Sequence, residues 1–424
     1  MKTAKKLILF ITVLTIASMI ILLSCKNRYM GPATRNIFED GSGDYVLPAG
    51  YLTQEEQYEP LDPDSRAVVL FSNECVIPAL TITSKGTLIA AVGSGTTKGK
   101  IIGKRSSDFG KSWTEFTEFT DGDFNDSHVH PFFINSHDGS ILLGIATTNT
   151  AKNEAVIYRS INDGISWTKY GTNLSMTNLT PTTNKNVVLT PDNSFVTYGN
   201  GVTLRHGTNR NTLIFPFFYQ QKANSKGHCT ATMISTDNGK TWKQLGVDLG
   251  DFTTHETKFI ELSDGNILLY MKQPANNNSA WFLSTDCGNT WANKTLFGKG
   301  WNENISHVDF ARYEFNGKDI KPNSGSKYAL MVHSKKAGKG YAVRMTLNDF
   351  NNGQKGGTGA KFLYGKEFAT NADAGGYPAI TVLPDGTIAT LTEETNSIVF
   401  RRFNLSWLAG EDEYVDYDSD NILK

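Results

Sequence analysis

The chain has 424 residues, 39% of them hydrophobic and 11% aromatic, which supports a packed core and excludes a mainly disordered protein. Its 41 basic and 42 acidic side chains are well mixed, with a formal charge of −1 and no basic tract, so nucleic acid and anionic membrane are excluded as electrostatic partners. The length fits two or three ordinary domains or one large closed β architecture, and the 39 Gly with frequent aromatics favour the all-β reading.

Lys2, Lys5 and Lys6 precede an apolar run from Leu7 to Leu23 that breaks at Ser24-Cys25. A charged start, an apolar stretch and a small residue before the break form a secretory signal. A Cys directly after that residue resembles a bacterial lipobox, which implies that Cys25 is lipidated and becomes the mature N-terminus. The chain is then exported and anchored to a bacterial membrane through its lipid. The alternative is an uncleaved transmembrane anchor, since the run is near the lower length limit for spanning. Residues 25–65 are polar, acidic and Pro-containing, as in a tether. Cys75, Cys229 and Cys287 are too scattered for a disulfide framework or a zinc site, so buried free thiols are expected.

From residue 66 to 410 one pattern recurs: an apolar strand, a Gly-containing turn, and a second strongly apolar strand. Copies start at Pro78, Phe132, Lys258 and Ala379, with looser ones at Thr203–Phe218 and Ala311–Val332. Asp-Gly between apolar strands is a hairpin signal, because Gly supplies the positive φ such turns need. Four copies are followed by S-x-D/N-x-G-x-x-W, at Ser106–Trp113, Ser160–Trp167, Ser235–Trp242 and Ser284–Trp291, and a worn fifth is Thr346-Leu-Asn-Asp-Phe. Asp or Asn closes such a turn onto its own backbone while Trp packs on the neighbouring strand, so these are structural locks rather than catalytic aspartates.

The units predict a six-bladed β-propeller of four-stranded antiparallel blades. The last unit (Tyr377–Asn404) supplies three strands, and Ala67–Phe71 is expected to add the fourth and close the ring. Residues 411–424 read as an acidic tail. Strand order places the locked turns at one end of every blade, so function is expected at the other. Its loops are Gly93–Lys100, Asp121–His130, Leu249–Glu256, Lys272–Ser279, Lys335–Gly340 and Ala369–Tyr377.

The locked turns resemble the Asp boxes of bacterial sialidases. Gly375-Gly-Tyr-Pro-Ala-Ile-Thr-Val-Leu through Glu393, with Ile398–Trp407, resembles the family's nucleophile blade and closing strand. Thr254-His-Glu-Thr-Lys-Phe-Ile resembles the segment that carries the activating Glu, and Glu74-Cys-Val-Ile-Pro resembles the first-blade Arg-Ile-Pro segment. The likeness covers about Ala67 to Trp407. It implies a retaining exo-sialidase with Tyr377 as nucleophile and Glu256 as its base, acting on sialylated or related glycans as a monomer and without a cofactor. A neutral phenol suits a sugar with a carboxylate on its anomeric carbon, where an anionic nucleophile would meet a like charge. A free phenol titrates near ~10, so it needs a base within reach.

The family grips that carboxylate with three arginines. Here Val76 takes the first place, Lys272 the second and Lys339 the third, while Arg344 lies further along its strand; Glu393 matches the acid that normally holds the first arginine. Lysine neutralises a carboxylate but cannot fork onto it. The family's acid/base Asp is also missing from Gly93–Lys100; Asp126 or His128, in Asp121–His130, is the candidate substitute proton donor, and the leading alternative is that this segment is a polar surface loop. His128 and His130 lack a third ligand in sequence, so no metal is assigned. The rival reading is an inactive propeller that binds glycans or host glycoproteins; a third is an enzyme of altered sugar specificity.

Overall fold

In the computed structural model, residues 49–72, 75–94, 100–116, 119, 129–147, 154–172, 174–175, 197–220, 228–246, 256–272, 279–294, 305–335, 339–347, 362–373 and 376–417 are described. They form the six blades of a β-propeller. Blade 1 is Val76–Ile82, Leu88–Gly93, Ile101–Ser106 and Thr114–Glu115. Blade 4 repeats the plan with Thr257–Glu261, Ile267–Lys272, Ser279–Ser284 and Ala292–Lys294. In blade 5 the inner strand is Ile305–Arg312, and a small hairpin, Glu314–Phe315 with Lys318–Asp319, separates it from Tyr328–Lys335. Blade 2 departs from the plan: Gly199–Asn200 runs parallel to its inner strand Val129–Asn135, on the axis side.

Closure occurs as expected. Blade 6 contributes Pro378–Val382, Ile388–Glu394 and Ser397–Phe403, and Val68–Ser72 pairs antiparallel with the last of these. A sheet that closes on itself in this way leaves no open array edge.

The Asp boxes are turn locks in atomic detail. Ser106 Oγ donates to Asp108 Oδ1 (2.7 Å) and accepts the Gly110 N–H (2.8 Å), while the Ser112 N–H donates to Asp108 Oδ1 (2.8 Å) and Trp113 Nε1 to Gly110 O (3.2 Å). Burial works to raise the Asp108, Asp237 and Asp286 carboxyls, but hydrogen bonds, led by Ser112, Thr241 and Thr290, hold all three below the ordinary range. The residue before each box glycine is also left-handed (Phe109 +57°, Asp163 +63°, Asn238 +59°, Cys287 +59°), a strain the side-chain bonds sustain. A Cβ on the box glycine would strike the preceding blade: Phe400 for Gly110, Ile89 for Gly164, Leu142 for Gly239 and Ile214 for Gly288. Each lock therefore doubles as an inter-blade contact. The worn fifth copy falls outside the described residues from Asn348 on.

The propeller's packing extends beyond 66–410. Part of the expected tether folds: Thr53 caps a short helix, Gln54–Tyr58, with a complete capping box, and Leu52, Gln57 and Leu61 are buried. Arg402 Nη1 donates to Gly50 O (2.6 Å), the Leu52 N–H to Asp385 Oδ2 (3.2 Å) and the Leu61 N–H to Asn404 Oδ1 (2.9 Å). Asp64 receives Arg401 Nε (2.8 Å) and the Ala369 N–H. Part of the expected tail packs too, with Val415 buried and Tyr417 Oη donating to Leu52 O (3.0 Å). Two isolated leucines in a polar stretch carry too little periodicity to predict this strap. Cys75 is a buried free thiol and Cys287 a half-buried one. Residues 1–48, with Cys25, lie outside the described residues.

The axis is plugged by a buried ion pair. Lys258 Nζ lies 3.0 Å from Asp309 Oδ1, with side-chain exposures of 2% and 3%. Lys258 also donates to Tyr198 O (2.6 Å), and Asp309 Oδ2 accepts the Ile380 N–H (3.1 Å). The plug thus ties blades 4, 5 and 6 to the Tyr198–Asn200 segment. Gly199, at φ +71°, leaves the room that Lys258 fills: a Cβ there would sit 2.5 Å from Nζ. Towards the Asp-box end, the axis holds a cavity of about 180 Å³ lined by Asn135, Asn200, Thr203, Arg205, Glu261 and Glu314.

Candidate active site

At the end opposite the Asp boxes, the starts of three inner strands converge. Tyr377 immediately precedes Pro378–Val382 in blade 6, Glu256 immediately precedes Thr257–Glu261 in blade 4, and His307 lies in Ile305–Arg312 of blade 5. Tyr377 Oη hydrogen-bonds Glu256 Oε1. The other carboxylate oxygen, Oε2, lies 3.0 Å from Lys272 Nζ and 2.8 Å from His307 Nδ1.

Lys272 reaches Glu256 through the hairpin register. Thr257 pairs with Met271, so Glu256 falls opposite Lys272, and the Lys272 N–H donates to Glu256 O (3.2 Å). The His307 ring lies against Tyr377, with centroids 3.7 Å apart and planes inclined by 31°, and its backbone N–H donates to Ser334 Oγ (3.2 Å). Tyr198 packs edge-on against Tyr377 (4.9 Å) and donates to Val308 O (3.2 Å). The floor of the site is therefore the Tyr198 segment, held from below by Lys258.

Burial works to raise the Glu256 carboxyl. The contact and charge of His307, then Lys272 and the Tyr377 hydroxyl, overcome it and hold the group well below the usual carboxylate range. Burial, the Glu256 charge and hydrogen bond, and Glu393 push the Tyr377 phenol up. The resting state is a neutral phenol donating to an ionised carboxylate.

A depressed carboxyl contributes stability above its unfolded value near ~4.3, and that contribution is lost as pH falls through the folded value. Glu256→Gln is expected to be less stable than the wild type at pH 7 and to lose less on acidification towards about pH 2. Urea midpoints at the two pH values measure this, and parallel acid losses in both proteins would contradict it.

The remaining predicted residues do not gather into a clamp. Val76 stands at the start of the blade 1 inner strand, before a bulge where Ile77 takes φ +54°. The Ile77 N–H donates to Glu393 Oε2 (2.9 Å), so Glu393 satisfies a strained backbone where the sialidase pattern would place an arginine. Burial raises the Glu393 carboxyl against that hydrogen bond. Lys339 is exposed beside Gly340 and makes no ion pair among the described residues. Arg344 lies across Gly365 of the blade 5 outer strand. Asp126 and His128 lie outside the described residues; His130 is buried in the blade 2 inner strand. Among the described residues no group of three His, Cys, Asp or Glu is placed to hold a metal.

Sequence reasoning missed His307 and Tyr198. The blade 5 repeat was aligned from Ala311, but its inner strand begins at Ile305, so the position equivalent to Tyr377 and Glu256 went unread. Tyr198 sits on the added strand of blade 2, which follows no repeat.

Residues 86–347 match the family model described as BNR repeat-like domain. A sialidase of Micromonospora viridifaciens is 25% identical over 377 residues, covering 79% of this chain and 52% of the relative. A sialidase of Paraclostridium sordellii is 24% identical over 236 residues, covering 53% of this chain and 52% of the relative. The chain thus spans about half the length of the curated relatives it matches. Among solved structures, the intramolecular trans-sialidase of Ruminococcus gnavus, in complex with oseltamivir carboxylate, superposes with a TM-score of 0.59 at 15% identity. That match covers 80% of this chain and 96% of the other, a likeness of fold.

Proposed function

The chain belongs to the BNR repeat-like domain family, and from that premise we propose that it is a retaining glycosidase of sialidase type, removing terminal sialic acid or a related acidic sugar from glycoconjugates. The observation that carries this reading is the hydrogen bond from Tyr377 Oη to Glu256 Oε1 at the end of the propeller free of locked turns. Tyr377 Oη attacks the anomeric carbon as the bond to the aglycone oxygen breaks, and the phenol's proton passes to Glu256 Oε1. The leaving oxygen takes a proton from an acid, for which Asp126 is our candidate. Water deprotonated by that same residue then attacks the anomeric carbon, the tyrosyl–sugar bond breaks, and Tyr377 recovers its proton from Glu256.

Lys272, reaching in beside Glu256, supplies positive charge for the sugar carboxylate, with Lys339 on the rim and Glu393 at the wall. A lysine ammonium attracts the carboxylate as a point charge rather than as a fork. The protein acts as an exported monomer anchored through lipidated Cys25. A second reading, a glycan-binding propeller without turnover, is favoured by one observation: Lys272 is committed to Glu256 and Glu393 to the Ile77 N–H.

Release of 4-methylumbelliferone from its sialic acid conjugate by the full chain tests the proposal. Turnover is expected, falling at least about 10³-fold in Tyr377→Phe. Turnover that survives the substitution would remove Tyr377 as nucleophile. No turnover together with saturable binding on a glycan array would leave the binding reading in its place.

A further inference from the structure

The two oxygens of Glu256 are used differently. Oε1 accepts from the phenol, while Oε2 accepts from Lys272 Nζ at 3.0 Å and lies in close contact with His307 Nδ1 at 2.8 Å, from a second blade. A carboxylate with both anchors on one oxygen cannot rotate without breaking both contacts. His307 is itself fixed, its N–H bonded to Ser334 Oγ and its ring stacked on Tyr377 at 3.7 Å. One side chain therefore sets the position of base and phenol together, spanning blades 4, 5 and 6.

Resting on the glycosidase reading above, we propose that His307 is a positioning residue that holds Oε2 of Glu256 and aligns the Tyr377 ring. The titratable groups around His307 are Glu256 and Lys272 from blade 4, Tyr377 from blade 6 with Glu393 beyond it, Tyr198 from the added strand, and His333 on the adjacent strand. Of these, Glu256 and Tyr377 make the close contacts.

Two substitutions separate this role from simple packing. His307→Phe keeps a ring against Tyr377 and removes the polar contact to Oε2; His307→Asn places an amide nitrogen near the position of Nδ1. With the methylumbelliferyl sialoside, His307→Phe is expected to lose about 10²-fold in kcat with KM within about 3-fold. His307→Asn is expected to regain about 10-fold of that loss. The inference is overturned if His307→Phe stays within about 3-fold of wild type, if Asn is no better than Phe, or if the loss falls in KM.

Absence of wild-type turnover would refute the glycosidase reading alone, because His307 has a readout independent of activity. In protein carrying ζ-¹³C-tyrosine, the Tyr377 resonance, assigned by its loss in Tyr377→Phe, is expected to move downfield in His307→Phe as Glu256 draws harder on the phenol proton. An unmoved resonance would overturn the positioning role.

Discussion

Lys258→Met, with Asp309 left in place, is expected to lower the free energy of unfolding by about 3–5 kcal/mol, the cost typical of leaving one partner of a buried pair alone. The two side chains are 2% and 3% exposed, so little water is available to replace the lost ammonium around Asp309. The substitution also strips the donor from Tyr198 O, a buried carbonyl on the added strand. Lys258→Met combined with Asp309→Leu is expected to recover most of the loss, since a well-packed apolar replacement removes both charges at once. Urea unfolding of the three proteins decides it. A single variant as stable as the wild type would mean that the plug carries no net interaction. The loss should also reach the candidate site: Tyr198 packs on Tyr377, so a loosened Tyr198–Asn200 segment removes one wall around the Tyr377 ring.

The second large effect concerns the strap. A fragment beginning at Ala67 is expected to be less stable than one beginning at Ala49 by about 5 kcal/mol or more. Burial of Leu52 and Leu61 contributes roughly 1.5–3 kcal/mol each, and the lost hydrogen bonds about 1 kcal/mol apiece. Arg402 and Asp385 stay paired in both fragments, but the shorter one leaves Asn404 and Arg401 without Leu61 and Asp64. Calorimetric melting of the two fragments measures the difference, and coincident transitions would show the strap to be a passive covering. A third fragment that also lacks Val68–Ser72 is expected to show no cooperative transition, because blade 6 would present an open edge.

The parts of this molecule that repeat were legible in its sequence. Hairpin turns and Ser-x-Asp-x-Gly-x-x-Trp boxes recur because each blade solves the same packing problem, and strand order alone directed attention to the end where Tyr377 and Glu256 meet. The Lys272 contact was also within reach, since counting back from the Ser263-Asp-Gly turn places it opposite Glu256. What escaped was whatever broke the repeat. Lys258 sits in a strand, Thr-Lys-Phe-Ile-Glu, whose polar residues read as half-exposed, yet every position is buried, and a lysine there needs a carboxylate from another blade to be tolerated. Ile77 takes a left-handed conformation that no β-branched residue prefers, and only Glu393, 316 positions away, accounts for it. The polar strap advertised solvent because its few apolar residues have no period.

Closure by the first strand also sets a schedule. Gly50 and Arg402, partners across the seam, are 352 residues apart in the chain. The opening strand can find its place only after nearly the whole polypeptide has been made, so for most of synthesis Val68–Ser72 presents an unpaired edge. Contacts of such sequence separation are slow to form, and the species that waits for them is prone to associate with its own kind. The ring therefore matures in one late event at a single joint. Both described ends of the chain pack around that same blade, so mechanical load applied to either end would pull first on the joint rather than on the site.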